Sequence, residues 1–64
     1  MKPGDLVWLP QRLRTGPIRD LVADVNASPG RLVTVKDGWA MVRYPKWGEF
    51  GCEVGELTLF ERDA

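Results

Sequence analysis

Sixty-four residues with nine basic and nine acidic side chains, no histidine and one cysteine make a single domain, residues 1 to 64, near the lower size limit for a core without staples. A lone Cys52 leaves no intramolecular disulfide and points to a reducing, cytoplasmic setting. Without histidine the chain lacks the usual ligands for zinc, copper or haem and any Ser-His or Cys-His nucleophile pair, which argues against a metalloenzyme or a triad hydrolase. Carboxylate pairs such as Glu53/Glu56 or Glu49/Glu53 need a pocket to shift their pKa values, and 64 residues leave little interior for one, so no enzyme, no metal and no cofactor are expected.

The N-terminal stretch "MKPGDLVWLPQ" carries a proline and an acid where a signal peptide needs a long apolar segment. No apolar run approaches the roughly 20 residues that cross a bilayer. A complete soluble chain, with no membrane partner, is expected. Its charges cancel overall but not locally. Arg12, Arg14 and Arg19 fall in one stretch with no acid between them, whereas Glu49, Glu53, Glu56, Glu61 and Asp63 are met only by Arg62 after residue 48.

Glycine and proline punctuate the chain at "KPGD", "TGP", "SPG", "DG" and "PKWG". The segments between them are rich in Val, Leu, Trp and Tyr, the residues that favour strands. Strands are predicted at Leu6–Leu9, Arg31–Lys36, Trp39–Tyr44, Phe50–Val54 and Thr58–Glu61. Pro10 to Gly30 is too long for a plain hairpin loop. Within it Ile18, Leu21, Val22 and Val25 recur at helical spacing. Pro17 and the "NASP" run bracket that segment tightly, which favours an irregular excursion over a helix.

Asp37-Gly38 is the pair preferred in a two-residue type I′ hairpin turn, where both positions need positive φ. Counting outward pairs Lys36 with Trp39, Val35 with Ala40, Thr34 with Met41, Val33 with Val42 and Leu32 with Arg43. Opposed residues share a face and faces alternate. Val33, Val35, Ala40, Val42 and Tyr44 then face the core, and Leu32, Thr34, Lys36, Trp39, Met41 and Arg43 face outward. The hairpin through "PKWGE" has two registers. A four-residue loop pairs Tyr44 with Glu49; a five-residue loop pairs Tyr44 with Phe50 and Val42 with Cys52, extending the apolar face. The second is preferred.

Five short strands, a long first loop, two tight hairpins and a "VGEL" turn before the last strand resemble an SH3-like small β-barrel. The resemblance runs from "KPGDLVWLP" through "GRLVTVKDGWAMVRYP" to "EFGCEVGELTLFE". It implies an all-β, five-stranded barrel in which the first strand pairs with the last. Barrels of this superfamily bind peptides, methylated tails, RNA, DNA and one another, so fold alone does not choose among them. "GDLVWLPQRLRTG", residues 4 to 16, resembles the start of the C-terminal DNA-binding domain of retroelement integrases, and Gly4-Asp5-Leu6-Val7 resembles KOW/Tudor-type modules. Signalling SH3 domains differ: their acidic first loop, adjacent tryptophan pair and "ALYDY"-type segment are missing here.

Candidate functional residues follow from the outward face. Trp39 and Met41, bounded by Lys36, Arg43 and Glu53, have the composition of an interface centre with a polar rim. Trp47, at a loop tip between Lys46 and Gly48, is expected to join them in contacting a partner. A covering layer formed by the long first loop is the competing use of Trp39 and Met41. Arg12, Arg14 and Arg19 offer guanidinium forks to phosphates or carboxylates. Trp8 and Phe60 are expected to stack if Val7, Leu9, Leu57 and Leu59 are core, and Cys52 to pack as a small hydrophobe. The expected function is a non-enzymatic protein-binding module, of a size that suits a small regulatory or phage-type accessory protein. Nucleic-acid binding through the basic loop and exposed aromatics is the alternative, and a homo-oligomer is a third possibility.

Overall fold

The computed structural model describes residues 1 to 61; Arg62 and Asp63 of the charged tail lie outside the described residues. Its strands are β1 (Leu6–Trp8), β2 (Gly30–Lys36), β3 (Trp39–Tyr44), β4 (Gly48–Glu53) and β5 (Thr58–Leu59), with one helix, α1 (Arg19–Ala27), and two 3-10 turns at Gln11–Leu13 and Val54–Glu56. The strands form one antiparallel sheet in the order β4-β3-β2-β1-β5. The fold is thus mostly β, and β1 pairs with β5 through Val7–Leu59 and Trp8–Thr58. β4 and β5 are the sheet's edges, so the ladder itself is open. Among the described residues no helix is long and apolar enough to cross a membrane.

The first hairpin turns as its sequence requires. Asp37 and Gly38 both take positive φ, at 53° and 78°, and Lys36–Trp39, Val35–Ala40 and Thr34–Met41 pair as counted. Below Thr34 the register shifts by one residue, so that Leu32 faces Val42 and Arg31 faces Arg43. This corrects the expected faces: Leu32 is buried in the core, while Val33 is 37% exposed. A β-bulge adds one residue to one strand, and the inside-outside alternation reverses beyond it.

The second hairpin uses neither expected register. Its loop has three residues, Pro45, Lys46 and Trp47, and Tyr44 pairs with Gly48. Trp47 N–H donates to the Tyr44 carbonyl at 2.9 Å, and Gly48 takes φ +91°, the left-handed position that follows the turn in a three-residue hairpin. Relative to the five-residue loop the partner strand moves by two residues, which preserves the faces. Phe50 and Cys52 therefore still accompany Val42 and Ala40.

The largest departure is in Pro10–Gly30, where the helical spacing prevails over the excursion. At nine residues α1 is too short to be stable alone in water. It is held by docking: Val25 is fully buried among Val7, Leu9, Leu32, Val42 and Leu57, a burial that contributes about 1.5–3 kcal/mol. Asp20 lies in its first turn, where a carboxylate complements the helix dipole. Pro29 ends it, since the residue before a proline disfavours the α conformation. Leu59, expected inside, is 42% exposed, because β5 has a neighbouring strand on one side only. Trp8 and Phe60 do meet, edge to face at 5.8 Å.

Gly30 is where the start of β2 meets the end of β3. A Cβ built there would lie 2.5 Å from both Tyr44 Cε2 and Val42 Cγ1. Gly30→Ala should destabilise the protein by about 1–3 kcal/mol, the usual cost of overpacking, measured as a lower denaturation midpoint; an unchanged midpoint would show that the Tyr44 ring can move aside.

Candidate functional site

The outer face of β2, β3 and β4 carries the expected patch. Trp39 is half exposed, Met41 is partly buried, and Lys36, Arg43 and Glu53 around them are exposed. Across β4 from Met41 sits Gly51. A Cβ on Gly51 would lie 2.9 Å from Trp39 Cζ2 and 3.2 Å from Met41 Sδ. Both side chains therefore lean over the bare backbone of Gly51, an aromatic covering a strand glycine. The long first segment does not cover them. Its helix docks Val25 into the core, on the inner side of the sheet.

Trp47 stands elsewhere. It comes three residues after the end of β3, whereas Trp39 begins that strand, and it packs against the core cluster. Its indole N–H donates to Asp24 Oδ2 on α1 at 2.7 Å. Lys46 Nζ is 3.8 Å from that same oxygen and 5.3 Å from the Trp47 ring centroid. The expected free tryptophan at a loop tip is thus corrected to a half-buried clamp between the second hairpin and α1. No nearby sequence signal marks this, since Asp24 and Trp47 are 23 residues apart. The Tyr44 hydroxyl adds a second tie, donating to the Ser28 carbonyl at 2.9 Å, and burial pushes that phenol above its ordinary pKa.

The three arginines sit in three different environments. Arg12 makes a two-pronged pair with Glu56, Nε to Oε2 at 2.9 Å and Nη2 to Oε1 at 2.7 Å. Arg14 is partly buried, with its Nε enclosed and unpartnered among the described residues. Arg19 is exposed at the first residue of α1. Glu56 also closes a capping box on the second 3-10 turn by accepting from the Glu53 N–H. Its hydrogen bond with Arg12 holds its carboxyl below the usual range, opposite to what a general acid at neutral pH requires. Cys52 is buried in the core, and burial pushes its thiol upward, away from the reactive thiolate.

No family model matches the sequence, nor does any curated protein or solved structure.

A groove of about 390 Å³ opens beside the patch, lined by Leu6, Pro29, Arg31, Arg43, Tyr44 and Pro45. Arg31 was not singled out in the sequence, because it reaches this face only through the bulge. Among the described residues no group of three His, Cys, Asp or Glu side chains comes together as a metal site would need.

Two measurements separate structural from surface roles. Trp47→Ala removes packing and leaves Asp24 without its donor, so it should cost about 2–3 kcal/mol, read from chemical denaturation; a loss below about 1 kcal/mol would show that the clamp carries little. Glu56 has a lower pKa folded than unfolded, so its pairing stabilises above the ordinary value and is lost as pH falls through the folded value. Glu56→Gln should therefore flatten the decline of the melting temperature between about pH 5 and about pH 3. Parallel declines in variant and parent would contradict that role.

Proposed function

We propose that this protein is a non-enzymatic binding module of SH3-like architecture that takes up a protein partner on the outer face of β2, β3 and β4. Support for the architecture comes from the β1–β5 pairing, the long segment between β1 and β2, and the 3-10 turn that leads into β5. One observation carries the functional reading: Trp39 is half exposed yet seated across Gly51.

A tryptophan in that setting suits an interface anchor. Its ring has a large apolar face, and contact with Gly51 already limits its rotamers, so less side-chain entropy is lost on binding. Met41 adds an adaptable apolar surface beside it, and Lys36, Arg43 and Glu53 supply the polar rim. Trp47, committed to Asp24, leaves the proposed contact set.

Nucleic-acid binding relied on Arg12, Arg14 and Arg19 acting together. Arg12 is already paired to Glu56 and the Arg14 Nε is enclosed, which weighs against that alternative. Net charge of zero weighs the same way.

Trp39→Ala should reduce capture of a protein partner from native host extract at least about 30-fold, the loss expected at an interface hot spot, with stability falling by no more than about 1 kcal/mol. Capture should survive nuclease treatment. Undiminished capture by Trp39→Ala, or capture that nuclease abolishes, would overturn the proposal.

A further inference from the structure

Arg31 and Arg43 stand directly opposite each other on the outer face of β2 and β3. Directly opposed side chains in an antiparallel pair have Cβ atoms about 4.5–5.5 Å apart, and like charges in that position destabilise a sheet. Neither arginine makes an ion pair or a side-chain hydrogen bond among the described residues. Both are exposed, and both line the groove whose other walls are Leu6, Pro29, Tyr44 and Pro45. The bulge between Leu32 and Thr34 creates this pairing. With an unbroken register Leu32 would face Arg43, and no second guanidinium would be there. Bulges commonly re-aim side chains at functional sites.

From this juxtaposition we infer that Arg31 and Arg43 together hold one carboxylate of the partner, an aspartate or glutamate side chain in an extended segment whose apolar neighbours pack on Leu6, Pro29 and Pro45. The inference rests on the protein-binding reading and names the chemistry of its partner. Two guanidinium groups match the two oxygens of a carboxylate, and a bound anion removes their mutual repulsion. Trp39, Met41 and Arg43 occupy alternate positions along β3, so Trp39 and Arg43 are about 13 Å apart at about 3.3 Å per residue. An extended partner strand then places an apolar side chain on Trp39 and its acid about four residues away.

A nucleic-acid backbone fits the same face less well. Glu49 lies across from Arg43, and Glu53 across from Trp39. A chain of phosphates along the patch would meet both carboxylates, whereas a single acid held on the Arg31 side of the pair has only Glu49 nearby, beyond Arg43, and is remote from Glu53.

The test is an NMR titration of the full 64-residue chain, following the arginine Nε–Hε signals. The probes are capped apolar hexapeptides carrying Leu and Glu four residues apart, in both orders, their Gln counterparts, inorganic phosphate, and a thymidine oligonucleotide. The Glu peptide should shift the Arg31 and Arg43 signals and bind at least about 10-fold more tightly than the Gln peptide, as expected for one charge-assisted contact. Arg31→Gln or Arg43→Gln should each remove that preference. Without ligand, Arg31→Gln should raise the melting temperature by about 1–5 °C through relief of like-charge repulsion; a lowered melting temperature would make Arg31 a structural residue and overturn the inference.

Equal binding of Glu and Gln peptides, or no binding by either, would also overturn it, as would tighter binding of phosphate or the oligonucleotide than of the peptide. Extract capture distinguishes the two levels. Capture lost with Trp39→Ala but kept with Arg31→Gln would sink the carboxylate site alone, and capture indifferent to both variants would sink the docking face as well.

Discussion

Between Leu32 and Thr34, β2 carries one residue more than its partner β3, and the inside and outside of the molecule are arranged around that surplus. Leu32 enters the core in place of Val33, a longer apolar side chain in a domain with little core to spare. The same step brings Gly30 beneath Tyr44, where a side chain would collide with the ring, and sets Arg31 opposite Arg43. A single local irregularity thus fixes a core position, a close backbone approach and a pair of like charges.

The two faces of the sheet are used differently because, among the described residues, one long segment, Pro10 to Gly30, is available to cover them. That segment folds onto the inner side. Val25 enters the core with Leu13 and Leu21 packed against it, Asp24 accepts the Trp47 indole N–H, and the Ser28 carbonyl accepts the Tyr44 hydroxyl. These ties come from residues distant in sequence, so a helix too short to persist alone is held by tertiary contacts. The outer side of β2, β3 and β4 receives no such cover from α1, and there Trp39 and Met41 rest on Gly51.

Locally encoded features were legible in the sequence. The Asp37-Gly38 turn demands positive φ at two adjacent positions, and the three pairs nearest it follow by counting. The outward placement of Trp39, Met41, Lys36 and Arg43 came from the same count. The second hairpin also carries its signal, since Gly48 supplies the left-handed residue that follows a three-residue loop; matching Tyr44 to Phe50 by apolarity obscures it. Nothing local announces the bulge, because Leu32, Val33 and Thr34 are all ordinary strand residues. The roles of Trp47 and Arg12 were hidden for a different reason: their partners lie 23 and 44 residues away, and residue type alone does not reveal which distant groups meet.

The division between a tied inner side and an open outer one can be read from the three tryptophans. With 5-fluorotryptophan incorporated and the three resonances assigned by single Trp→Phe variants, the 19F shift change between H2O and D2O reports each indole's solvent exposure. Trp39 should show the largest isotope shift, and Trp47 and Trp8 smaller ones. A Trp39 resonance as protected as that of Trp47 would contradict the open face on which the binding surface depends.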